Sequence, residues 1–135
     1  MKRIFLDTNI IVDLLMQREG VVTSAKVLSK AKKEEVSLLV SVLTIANIAY
    51  ILRKVLAGRA LYVEMAKLVN FLDVVDLKKE HLFSTLELEA KDFEDALQYY
   101  CACDNDCDII VTRNKKDFDF STIEVLTPEE FLQKY

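Results

Sequence analysis

Five short apolar runs, Arg3 to Leu6, Ser37 to Ser41, Asp73 to Leu77, Asp108 to Thr112 and Ile123 to Leu126, are separated by segments long enough to be helices. The runs are β-branched or leucine-rich, as strands covered on both faces tend to be. Strands that alternate with helices are joined by crossovers, which sets them parallel in one sheet with helices on both faces. The expectation is an α/β chain with a single domain over residues 1–135 and a central, mostly parallel sheet. Two glycines and one proline leave few places for long loops.

The intervening segments carry helical spacing. Ala25, Leu28 and Ala31 fit a helix near Thr23 to Glu35, with Thr23 or Ser24 as its cap. Leu43 to Val55 is apolar around most of its circumference and should be buried, whereas Leu61, Met65, Leu68, Val69 and Leu72 make an amphipathic helix. In DFEDALQYYCACDND, the residues Phe93, Ala96, Leu97, Tyr100 and Cys101 share one stripe, with Asp95, Tyr99 and Ala102 opposite. TPEEFLQKY reads as a last helix, with Thr127 as cap, Pro128 in the first helical position and Glu130 closing a capping box.

Composition excludes several classes. With 18 Lys and Arg against 22 Asp and Glu, the net charge is -4, so no basic surface grips a polyanion by charge alone. Asp7 and Asp13 interrupt what would be the apolar core of a signal peptide, which points to the cytoplasm. Ser37 to Leu52 is uncharged but shorter than the ~20 residues that cross a bilayer, so no membrane is expected. Three cysteines, Cys101, Cys103 and Cys107, and a single histidine, His81, do not make a zinc site or a disulfide framework. They read as reduced thiols.

In MKRIFLDTNIIVDLL the first strand runs into Asp7, a carboxylate that an apolar core does not tolerate without a partner or a cation. Parallel sheets bind ligands beyond the carboxyl ends of their strands, which is where Asp7 falls. In DIIVTRNKKDFDF, Asp108 opens the fourth strand, Thr112, Arg113 and Asn114 leave its carboxyl end, and Asp117 follows at the same rim. In KDFEDA, Asp92 or Asp95 in the first helical turn projects toward that rim. Each acid also has a plainer role: Asp92 as an N-cap, Asp95 as a dipole partner, Asp117 as a turn former. Asp104, Asp106 and Asp119 read as solvated loop charges. Three carboxylates, Asp7, Asp95 and Asp117, are nonetheless expected to meet.

The order FLDTNIIVDLL, SVLTIANIAYIL, DFEDALQYYCA and CDIIVTRNKKDF resembles the PIN-domain family, small metal-dependent ribonucleases that include the VapC-type toxins of bacterial toxin-antitoxin pairs. The resemblance implies a parallel five-stranded sheet, Mg²⁺ or Mn²⁺ held by acidic residues, and hydrolysis of RNA phosphodiesters. It assigns Asp7, Asp95 and Asp117 as catalytic, metal-holding acids. Thr112 and Asn114, grouped with Thr8 and Asn9 beside Asp7, become polar neighbours of the phosphate. Arg113, Lys115 and Lys116 become local cations for the RNA backbone, although such a cluster is also often just a solvated loop.

Where the helix SVLTIANIAYIL would carry the family's usual glutamate, this chain has Asn47. An amide oxygen still accepts a cation but brings no charge. Asp92 or Asp108 is then left to make up the fourth carboxylate, and a buried, hydrogen-bonded Asn47 is the alternative. Two functional readings remain open: an active ribonuclease toxin, or a weakened PIN-like module that binds RNA or a protein without cutting. A phosphatase of the haloacid dehalogenase type expects an acid two positions after its nucleophilic Asp, and Asn9 stands there instead. Apolar helices at Ser41 to Val55 and Leu61 to Leu72, with the resemblance, imply a homodimer, and the toxin reading implies an antitoxin partner.

Overall fold

Strand β1 (Lys2–Leu6) is buried on both faces from Ile4 onward, because it is the middle strand of the sheet. The structure, a computed structural model, describes residues 1–33 and 35–135, with the side chain of Lys32 outside the description. After β1 come α1 (Thr8–Leu15), α2 (Val21–Lys32), β2 (Val36–Ser41), α3 (Val42–Leu52) and α4 (Gly58–Phe71). Then follow β3 (Asp73–Val75), α5 (Lys79–Leu88), α6 (Phe93–Asp104), β4 (Ile109–Val111), a 3-10 turn (Lys115–Phe118), β5 (Glu124–Leu126) and α7 (Pro128–Lys134).

The five strands form one sheet in the order β3-β2-β1-β4-β5, and every pairing is parallel. Side chains alternate between its faces. Ile4 and Leu6 join Leu38, Val40, Ile109 and Val111 in a core closed by α1 to α4 and by Phe131 of α7. Phe5, Leu39 and Ile110 face the other way, onto Tyr99, Cys101 and Ala102 of α6. Helix α5 packs against α6. The chain places β2 and β3 on one side of β1, then β4 and β5 on the other, so the connectivity reverses at β1. The crevice that such a reversal opens lies beyond the carboxyl ends of β1 and β4.

The α/β class and the five strands match the sequence expectation, with differences that have physical reasons. Thr8–Leu15, to which the pattern assigned no element, is helix α1; Ile10, Ile11, Val12 and Asp13 are all buried, so its periodicity is hidden. Helix α2 starts two residues ahead of the expected Thr23, behind Gly20, whose φ of 91° is the left-handed conformation that glycine adopts freely. Glu34, inside the expected span of that helix, lies outside the described residues. Helix α5 also escapes the pattern, since it buries His81 and Thr85 against α6 and turns Leu82, Phe83 and Leu86 outward. The stripe expected on α6 is wrong in part: Phe93 is exposed, while Gln98, Tyr99 and Ala102 are buried. The final helix is as expected, with Thr127, Pro128 and Glu130 in their capping roles.

The cysteines are free, with Cys101 and Cys107 buried. Burial pushes their thiols up to about 11 and about 12, which leaves them protonated and inert. Among the described residues no helix is long and apolar enough to cross a membrane.

Because Ile4 is wholly buried at the centre of the sheet, Ile4→Ala should destabilise the protein by about 2–5 kcal/mol. Urea unfolding would read this as a lower midpoint with an unchanged slope.

Candidate active site

Asp7 is the last residue before α1, and two bonds tie it to β4. Its backbone N–H donates to Val111 O at 3.0 Å, and the Thr112 hydroxyl donates to its Oδ2 at 2.8 Å. Thr112 is itself buried; its N–H donates to Leu126 O at 3.0 Å, and its hydroxyl accepts the Asn114 N–H at 3.1 Å. The segment that follows closes with Asp117 N–H donating to Asn114 O at 3.0 Å. Asn114 and Asp117 are thereby brought over the end of β1.

Helix α6 contributes from the other side. Asp92 caps it by accepting the Asp95 N–H at 2.9 Å, so Glu94 and Asp95 occupy the first turn. Helix α3 supplies Asn47, whose Nδ2 donates to Glu94 Oε1 at 2.8 Å. Underneath, Thr8 and Thr44 share a hydroxyl–hydroxyl bond of 2.8 Å, and Gln98 Nε2 donates to Thr44 Oγ1 at 3.2 Å, which joins α1, α3 and α6.

The result is an open cleft of about 410 Å³ lined by Asp7, Thr8, Asn9, Asn47, Asp92, Glu94, Asp95, Asn114 and Asp117, with Tyr50 and Ile51 as its apolar wall. Five of these residues are acids, and none is a lysine or an arginine. The cost is visible in the protons. Desolvation, then the charges of Asp7, Asp92, Asp117 and Glu94, push the Asp95 carboxyl up to about 7. Burial also raises Asp7, against the Thr112 hydroxyl, the amides of Thr8 and Asn9, and the charge of Arg113. Glu94 is raised by burial and by Asp92, and Asn47 pulls it down.

The donor set is all hard oxygen, carboxylate and amide, which fits Mg²⁺, Mn²⁺ or Ca²⁺ rather than a thiophilic ion. The acids ring the cleft instead of converging on a point: among the described residues no three His, Cys, Asp or Glu side chains are disposed to hold an ion as they stand. Mg²⁺ commonly keeps several waters and takes only one or two carboxylates from a protein, so a convergent trio is not required.

Other expected residues lie elsewhere. Asp108 cannot supply a fourth carboxylate here, because it opens β4 at the opposite end of the sheet, where its Oδ2 accepts the Arg3 N–H at 2.8 Å. Arg113 turns away from the cleft to the buried Asp13, with Nε 2.9 Å from Oδ2. Lys115 pairs with Glu130 at 3.1 Å. Lys116 lines a neighbouring hollow with Asp92, Asp117 and Asp119. Asp104 is no free loop charge either, since it bonds Lys78 at 2.9 Å and His81 at 3.2 Å, and both hold its carboxyl below the usual range. The residue that sequence reasoning missed is Glu94. Its place beside Asp95 in DFEDA was the available signal.

Residues 3–116 match the PIN domain family, and the chain belongs to that family. It is 31% identical over 140 residues to ribonuclease VapC1 of Aquifex aeolicus (strain VF5), across 99% of this chain and 96% of that protein. A toxin-antitoxin complex from Klebsiella pneumoniae superposes with a TM-score of 0.70 at 20% identity, covering 92% of this chain and 96% of that one. VapC20 of Mycobacterium tuberculosis, a sarcin-ricin loop cleaving toxin, superposes at 0.62 with 16% identity over 79% and 86% of the two chains. The two structural likenesses speak for the fold, and the resemblance read from the sequence is borne out.

The raised Asp95 carboxyl has a sign in stability. Between its ordinary 3.8 and about 7 the folded state keeps a proton that the unfolded chain has lost, so stability falls as pH rises and levels off above that range. In a chelating buffer the metal-free protein should melt lower near pH 8 than near pH 5.5, and Asp95→Asn should shrink the difference. An equal pH dependence in the variant would remove Asp95 as the responsible group.

Proposed function

We propose that the protein is an endoribonuclease of the VapC type that hydrolyses RNA phosphodiesters with Mg²⁺ or Mn²⁺, as the cytoplasmic toxin of a toxin-antitoxin pair. The observation that carries this reading is the cleft itself, ringed by five acids and free of lining cations. RNA is a polyanion and would be repelled there unless divalent cations intervened, and clustered carboxylates are what such cations require. Membership of the PIN family and the likeness to a protein named as a ribonuclease support the same reaction.

A bound divalent ion would lower the pKa of a water and offset charge on the attacking and leaving oxygens. This chain's residues do the placing. Thr112 fixes one oxygen of Asp7, so the other is left for a cation. Asp95 and Asp117 enter from α6 and from the 3-10 turn, and Asn114 offers an amide to a phosphate oxygen or a water. With its proton held to about 7, Asp95 is the acid whose charge state answers most directly to an arriving cation. Tyr50, exposed on the cleft wall with the Arg53 guanidinium 4.1 Å from its ring centroid, offers a stacking surface to an RNA base.

Asp7→Asn, Asp95→Asn and Asp117→Asn should each fold, bind Mn²⁺ weakly and lose cleavage of single-stranded RNA, while Asp119→Asn should do little. Unchanged Mn²⁺ binding in all three would overturn the site.

The antitoxin partner is supported by the toxin-antitoxin complex among the structural relatives. A homodimer is supported by the exposed apolar side chains of Val55 and of Tyr62, Val63 and Val69 in α4. Sedimentation at micromolar concentration should give the mass of two chains, and a clean monomer would count against it.

A further inference from the structure

We propose that Glu94 is the fourth metal-holding carboxylate of this site and that Asn47 is the residue that positions it. The inference rests on the metal-dependent reading of the cleft. Its basis is the 2.8 Å bond from Asn47 Nδ2 to Glu94 Oε1, which spans from α3 to α6 across the cleft wall.

A glutamate in the first turn of a helix is ordinarily explained by the positive end of the helix dipole. That explanation does not account for where this side chain goes. The start of α6 is already capped by Asp92, so Glu94 is not needed there. Glu94 instead reaches α3, although it is an exposed residue that could extend into water.

The chemistry of the pair fits its place. A carboxylate has two oxygens, and an amide N–H can hold one of them without adding charge, leaving the other for a cation. A second carboxylate at position 47 would repel Glu94 at contact distance, so an amide at 47 and an acid at 94 are matched. One negative charge is shared between two positions, carried by α6 instead of α3. Of the rival donors, Asp108 is bound to Arg3 at the far end of the sheet, while Asp92 caps α6 through Oδ1 alone and makes no bond to α3.

The test is Mn²⁺ titration, by calorimetry and by the paramagnetic resonance signal of the free ion, with circular dichroism as a check on folding. Glu94→Gln should weaken binding about tenfold, or roughly 1.4 kcal/mol. The exchange variant Asn47→Glu with Glu94→Gln moves the charge back to α3 and should recover most of that loss. A simple surface or dipole role for Glu94 predicts no recovery, because the exchanged charge leaves the helix start. Wild-type affinity in Glu94→Gln, alongside weak binding in Asp95→Asn and Asp117→Asn, would overturn the role of Glu94 and leave the metal site standing. Wild-type affinity in all of these variants would overturn the metal site itself. Wild-type affinity in Asn47→Ala, with Glu94 intact, would overturn the positioning role of Asn47.

Discussion

The rim of the sheet depends on the parallel pairing of β1 with β4, which sets Leu6 beside Val111 and so brings Asp7 and Thr112 together where the two strands end. The Thr112 hydroxyl then does two jobs, donating to Asp7 and accepting from Asn114. Through that one side chain, the strand carrying the first acid and the segment carrying Asn114 and Asp117 become a single unit. A hydroxyl suits the position because it both donates and accepts, which neither valine nor a carboxylate could do. The Thr8, Thr44 and Gln98 bonds make the corresponding link from α1 to α3 and α6.

Much of this was legible in the sequence, because the signals involved are local. A strand of apolar residues that ends in an acid is visible without neighbours, and so is the Thr-Pro-Glu-Glu start of α7. Alternating elements then dictate a parallel sheet, which puts the ends of its strands at one rim. The rest depends on contacts between elements. Helix α5 hides its identity by facing His81 and Thr85 inward, where His81 Nδ1 accepts the Lys78 N–H at 2.9 Å and its Nε2 faces Asp104, so polar groups satisfy one another inside. The apolar face it shows to solvent inverts the pattern on which periodicity relies. Glu94 was overlooked for a similar reason: only the approach of α3 to α6 gives it Asn47.

Cations near the site show how the protein spends its positive charge. Arg113 and Lys115 follow the end of β4, yet both are committed to acids of the scaffold. Asp13 is wholly buried, and among the described residues its oxygens have no hydrogen-bond partner, so the ion pair with Arg113 is its strong interaction there. Burial raises the Asp13 carboxyl, and the charges of Arg113 and Arg18 oppose that. Removing one partner from such a pair leaves an uncompensated charge inside, which is why the arginine is held to α1 rather than lent to the cleft. The cleft lining therefore stays acidic, and the Arg113 charge reaches Asp7 only from its place beside Asp13.

The sheet's outer strands carry a consequence of another kind. β3 and β5 are three residues each, and both open on an acid, Asp73 and Glu124. An outermost strand is a template on which a stranger's backbone can zip, and its hazard grows with the number of unpaired amides and carbonyls in a row. Three residues offer too short a row for a lasting grip, and at β3 the Asp73 charge also repels a second copy arriving in the same orientation, whereas Glu124 of β5 is paired with Lys134 at 2.8 Å. The chain thus carries a five-stranded parallel sheet whose short margins resist edge-to-edge growth.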